Sequence, residues 1–172
     1  MSKVIKMKLS QSSVKEAIRQ LNDYQHDLQY KTSLFVQRLA EVGIVTIDKH
    51  KYSQGTSDFN DLRTYVWLEE QGDWARATLV LSGKDVAFIE FGAGVHYNGS
   101  VGQSPNPFGQ QHGMTIGSYG KGQGAKDSWV FFDEELGRFR SSHGTKAAMP
   151  MYYADKEIID QVQTIAREVF GS

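Results

Sequence analysis

Ala87-Phe88-Ile89-Glu90-Phe91-Gly92-Ala93-Gly94 divides the chain into two kinds of sequence. Before it lie residues with clear apolar periodicity. After it comes a run dominated by glycine that ends near Lys126. Phe88, Ile89 and Phe91 are too apolar to sit in water without a partner, so the octet belongs to packed core. Gly92 and Gly94 permit a positive φ or a close backbone approach that a Cβ would resist. Glu90 stands alone as a carboxylate within that apolar run. It has two readings: a solvent-facing side chain, or a charge held at a subunit contact by a basic group, since a buried charge needs a partner.

Upstream of the octet, residues 62–68 alternate between apolar and polar faces, and residues 74–81 do the same. Gly72 lies between them, so the pair reads as a β-hairpin. Gly83-Lys84-Asp85 ends it, and Asp85 is placed to cap a short helical turn leading into the octet. Further upstream, Val14, Ile18, Leu21, Leu28, Phe35, Leu39 and Val42 recur at three-, four- or seven-residue intervals, with Ala17, Gln25 and Thr32 on the same face. That spacing predicts one helix over residues 13–42, about 45 Å long. Ser13 and Glu16 fit a capping box, and Gly43 follows as a C-cap. Residues 44–47 then read as a short strand, and residues 4–9, alternating with lysines outward, as an edge strand.

Downstream, residues 92–124 hold ten of the seventeen glycines, together with Pro105 and Pro107. So long a loop within a compact domain is functional or disordered. An insertion over about 92–128 is expected to be mobile in the free subunit and ordered on assembly, because it has too little apolar surface to offset backbone ordering. Residues 129–132 resume as a strand, and residues 133–148 are polar. Ile158, Val162, Ile165 and Val169 keep helical spacing over residues 152–170. The expected fold is α+β, in one domain spanning 1–172: an antiparallel sheet, a long N-terminal helix, a C-terminal helix and the glycine-rich insertion. Phe88, Ile89 and Phe91 should close the core against the hairpin and against Ile158, Val162 and Ile165.

Composition bounds the function. The 172 residues are 40% hydrophobic and 12% aromatic with a formal charge of −1, which is globular and not the balance of a phosphate-gripping protein. No cysteine is present, so disulfides and thiolate metal sites are excluded. Nothing approaches 18 consecutive apolar residues and the first thirty contain no signal-like run, so a soluble, non-secreted chain is expected. His96, His112 and His143 invite a metal reading, but their spacings of sixteen and thirty-one residues supply no close pair. Tyr97 occupies the position where a dinucleotide fingerprint needs glycine, and Gly120-Lys121-Gly122-Gln123-Gly124 lacks a phosphate-loop ending. Asp133-Glu134-Glu135 reads as a solvated turn. Lys121, Lys126, Arg138, Arg140 and Lys146, with Tyr119, Trp129 and Phe139 among them, form a diffuse basic set that leaves a weak nucleic-acid contact open. No catalytic, cofactor or metal constellation emerges.

Two stretches carry a family likeness. Phe88-Ile89-Glu90-Phe91-Gly92-Ala93-Gly94 resembles the aromatic-or-aliphatic, Glu, aromatic, Gly-Thr-Gly signature of the minor tail component, or tail-completion, family of long-tailed bacteriophages, with Ala93 where threonine is usual. His143-Gly144-Thr145 through Met149-Pro150-Met151-Tyr152-Tyr153-Ala154 is similar to that family's entry into its last helix. The resemblance covers residues 12–170. It implies a non-enzymatic virion protein of the neck or tail top that forms a ring, commonly a hexamer, between head connector and tail tube. Its implied partners are its own copies, a head-completion or connector protein, and a tail terminator or tail tube protein. DNA would pass the lumen without sequence-specific binding, and assembly would occur in the host cytoplasm with no membrane. The candidate contact residues are Glu90, Phe91, Gly92, Gly94, Tyr119, Lys121 and Lys126. A nucleic-acid-binding module using the loop Lys and Arg side chains, and a metal-dependent hydrolase using the loop histidines, are the rival readings.

Overall fold

The computed structural model describes residues 4–52, 61–92, 106–109, 111, 129–134, 136–142 and 144–171. It is α+β, with a long N-terminal helix, a C-terminal helix and two small antiparallel sheets. Helix α1 (Gln11–His50) runs for 40 residues, about 60 Å. It is followed by strands β1 (Arg63–Gln71) and β2 (Trp74–Ser82), the short helix α2 (Val86–Phe91), strands β3 (Trp129–Asp133) and β4 (Arg138–Ser142), and helix α3 (Pro150–Phe170). The expected insertion lies outside the described residues except for Gly92, the turn at 106–109 and Gln111.

The predicted hairpin is β1–β2, in register from Arg63 opposite Ser82 to Gln71 opposite Trp74. Its two-residue turn is Gly72-Asp73, with Gly72 at φ +61°, where a side chain would be strained. The single sheet expected from sequence is two separate ribbons, because among the described residues β3 pairs only with β4.

The amino-terminal third departs from expectation in three ways. Residues 4–8 carry the alternating pattern without forming a strand. The cap of α1 is Ser10, whose hydroxyl accepts from the Ser13 amide, and Glu16 pairs with Arg19 at 2.7 Å rather than reaching back to the cap. That hydrogen bond, with one from Gln20, holds the Glu16 carboxyl down to about 2. Neither Gly43 nor the β-branched run at 44–47 ends the helix. A Cβ on Gly43 would overlap Leu79 and lie 2.9 Å from Ile158 Cδ1, so at this glycine β2 and α3 both come close to α1. Tertiary packing overrides a loss of about 1 kcal/mol in helix propensity there.

The core follows from that approach. Ile47, Leu62, Leu81, Ile89, Ala148 and Ala154 form one buried cluster, with Leu79, Val86 and Met151 packed on it. Helix α3 runs antiparallel to α1. Tyr153 stacks on His50 at 4.4 Å, Glu168 meets Arg38 at 2.7 Å, and Phe170 meets Phe35 at 5.7 Å. Of the three apolar side chains in the octet, only Ile89 is fully buried; Phe88 and Phe91 are half-buried. Val162 lies at the surface rather than in the core. Thr64 donates to Asp48 at 2.9 Å, and Lys51 pairs with the same carboxylate, tying the end of α1 to β1. Burial alone would raise the Asp48 carboxyl, but these two partners prevail and hold it below the usual range.

Candidate functional site

The helix that most needs outside help is α3. Pro150 opens it, which suits proline because the first turn leaves its amides unpaired. The preceding Met149 sits in the left-handed region (φ 53°, ψ 44°) and gives no side-chain cap. No Ser, Thr, Asp or Asn stands at the position where one would accept from the first-turn amides. The cap comes from α2. Glu90 Oε2 accepts from the Met151 amide at 2.8 Å and Oε1 from the Tyr152 amide at 3.0 Å. The Ile89 carbonyl accepts from the Ala148 and Met149 amides at 2.8 and 3.3 Å. Two consecutive residues thus satisfy four amides of a segment about sixty positions away, and the carboxylate also faces the positive end of the α3 dipole.

Asn106 completes the arrangement. Its Nδ2 donates to Glu90 Oε1 at 2.7 Å, and its Oδ1 accepts from the Phe108 amide at 2.9 Å. Glu90 is 6% exposed and Asn106 2%, so this is an interior network. It pins the 106–109 turn against the start of α3, where the Phe108 ring lies 6.2 Å from Tyr152. Burial pushes the Glu90 carboxyl above its ordinary value, against the pull of the Met151 and Tyr152 amides and Asn106.

These distances correct both readings of Glu90. The side chain does not face water, and its partners are backbone amides and an asparagine of its own chain. Gly92 follows as the C-cap of α2, at φ 79°, with its amide on the Phe88 carbonyl at 2.8 Å, so the demand for glycine there is conformational. Phe91 lies between them, half-buried. Gly94, Tyr119, Lys121 and Lys126, and likewise His96, His112 and His143, lie outside the described residues. Asp85 precedes α2 as expected, but its side chain makes no capping bond. Asp133 is not merely solvated. It accepts from the Leu136 amide at 3.0 Å and pairs with Arg140 at 3.2 Å, shaping the β3–β4 turn.

Two open concavities flank α1. One, of about 800 Å³, lies between α1 and α3 and is lined by Val45, Thr46, Lys49, His50, Tyr153 and Ile165, among others. The other, of about 470 Å³, lies between the middle of α1 and the hairpin turn. Burial and neighbouring Lys49 hold the His50 imidazole below its usual value. Among the described residues no group of three or more His, Asp or Glu side chains could hold a metal ion, and no helix is long and apolar enough to cross a membrane.

Exposed apolar side chains occur on several elements, including Trp67 and Leu68 on β1 and Ile159 on α3, and α1 and the β3–β4 ribbon carry two groups of them. On α1, Ile18, Leu21 and Leu28 are 52, 55 and 43% exposed. On the β3–β4 ribbon, Val130, Phe132 and Phe139 are 67, 52 and 73% exposed, with the two phenylalanine rings 5.2 Å apart. Comparison of the chain with protein-family models, with curated proteins and with solved structures returned no match.

Proposed function

We propose that this chain is a non-enzymatic structural protein of a bacteriophage virion, at the head–tail junction or tail top, where copies form a ring joining the head connector to the tail tube. The observation that carries the reading is apolar side chains exposed on more than one element, the α1 stripe and the β3–β4 ribbon among them. A chain that must grip its own neighbours and at least one further protein needs more than one such surface. The resemblance in residues 88–94 and 143–154 supports it, and the Glu90 cap supplies a physical reason for those stretches to occur together. Its partners are further copies, a head-completion or connector protein, and a tail terminator or tail tube protein. Its place is the neck or tail of the virion, reached from the host cytoplasm. The contact surface is moved from the octet to α1 and the ribbon, since Glu90 is occupied inside the subunit.

Disrupting the gene in the phage that carries it tests the proposal. DNA-filled heads and finished tails should accumulate unjoined, as seen by electron microscopy, and the wild-type chain supplied in trans should join them. A normal yield of joined particles without the protein would overturn the reading.

A further inference from the structure

We infer that the amino-terminal arm of α1 pairs antiparallel with the same arm of a second copy of this chain. The inference concerns the free protein and does not depend on the virion reading. It starts from where α3 stops. Helix α3 covers one seam of α1 from His50, under Tyr153, to Phe35, under Phe170, and ends there. Helix α1 continues to Gln11, a further stretch of about 36 Å. The covered seam positions Val42, Leu39 and Phe35 continue without a break as Thr32, Leu28, Gln25, Leu21, Ile18 and Val14, at alternating spacings of three and four. Sustained three-four spacing of this kind is the pattern of a helix packed along its length against another helix. Val14, Ile18, Leu21 and Leu28 are nevertheless 37, 52, 55 and 43% exposed, and Ala17 is the buried residue of the described arm.

Three features select a second copy as the occupant. The first is extent. The bare seam, Val14 to Leu28, spans about two heptads, and a partner that covers it must present a helix of equal length; the arm itself does. The second is direction. An antiparallel arm continues the line that α3 already occupies, its start coming up to the end of α3 at Phe170. A parallel arm would bring two globular bodies to the same end, where α3 fills the seam. The third is charge. The rows flanking the seam are Lys15, Asn22 and Gln29 on one side and Ala17, Tyr24 and Lys31 on the other. Overlap centred near Asp23 sets Lys15 against Gln29 and Lys31 against Ala17, so no like charges meet. Ile18 then lies opposite Leu28, and Gln25 opposite Leu21. Glu16, Arg19 and Asp23 point away and pair among themselves at 2.7 and 3.0 Å. Lys15, Arg19 and Lys31 balance Glu16, Asp23 and Asp27, so the arm is neutral and offers no attraction to a polyanion.

The absence of cysteine makes the test direct, because each introduced thiol is unique. Asn22→Cys and Val14→Cys variants of the full chain are treated with a short bismaleimide, and their mass is followed by sedimentation velocity over a hundredfold concentration range. Asn22→Cys should cross-link to its own copy in high yield. Val14→Cys should not, because antiparallel overlap separates it from its copy by about 27 Å along the axis. Leu21→Glu should abolish the Asn22→Cys cross-link and leave a monomer whose helical circular dichroism and melting temperature match the parent. A monomer at every concentration, self-cross-linking of Val14→Cys, or a Leu21→Glu variant that still associates would each overturn the antiparallel pairing.

Discussion

Glu90 ties α2 both to the start of α3 and to the 106–109 turn. Glutamine keeps its shape but offers one oxygen where the carboxylate offers two, and its amide nitrogen would face a backbone N–H. With Met151 and Tyr152 both donating to this group, one amide of α3 loses its acceptor. Glu90→Gln should therefore lower stability by about 1–3 kcal/mol where the group is ionised, read as a fall in denaturant midpoint. The pH dependence has a definite sign. Burial raises the folded-state value above the ordinary 4.5, so this carboxyl's contribution is complete below 4.5 and declines as pH rises through the raised value. The advantage of the parent over Glu90→Gln should shrink across that window; a constant or widening gap would contradict the burial argument. The octet announced this residue, since a lone carboxylate in an apolar run needs a partner. Its partner was not legible, because it consists of backbone amides on a distant helix. The available signal was at the other end: Met149-Pro150 opens a helix with no capping side chain of its own.

Among the elements, the hairpin and the two long helices were readable because each has a period that one buried face enforces. Gly43 and the run at 44–47 misled for a physical reason. Glycine reads as a helix end and β-branched residues as a strand, yet Leu79 and Ile158 hold this stretch helical by packing where a Cβ would lie. Gly43→Ala should thus destabilise the protein by about 1–3 kcal/mol, despite alanine's advantage of about 1 kcal/mol within a helix. A higher melting temperature for that variant would show that the contact yields easily. Strand β4 was missed because Arg138–Ser142 has one large apolar side chain, Phe139, and that one faces solvent. At α2 the core residue is Ile89 rather than Phe91. Ile89→Ala should cost about 2–5 kcal/mol in chemical denaturation, and Phe91→Ala distinctly less.

For the molecule as a whole, fold class was accessible from sequence, but the surfaces left bare were not, because periodicity marks an apolar face without saying what covers it. The predicted stripe on α1 is covered by α3 over one part and by nothing described over the rest of its exposed positions. The β3–β4 ribbon offers a separate check. Val130 is 67% exposed, so Val130→Lys should change folding stability by no more than about 0.5 kcal/mol. If the ribbon binds a virion partner, the same variant should fail to complement assembly of joined particles. A variant that folds normally and complements fully would leave the ribbon without that role.

The capping of α3 by residues 89 and 90 also bears on how the chain tolerates change in length. The two contacts to Glu90 span 61 and 62 positions, and they close everything between α2 and α3 into one loop. Loop-closure entropy grows only logarithmically, by about 0.6 kcal/mol for each doubling of length. Adding or removing a dozen residues between 111 and 129 would therefore change the closure term by a few tenths of a kilocalorie. During synthesis the receptor for α3 is translated well before α3 itself, so α3 on leaving the ribosome meets carbonyl and carboxylate acceptors already on the chain.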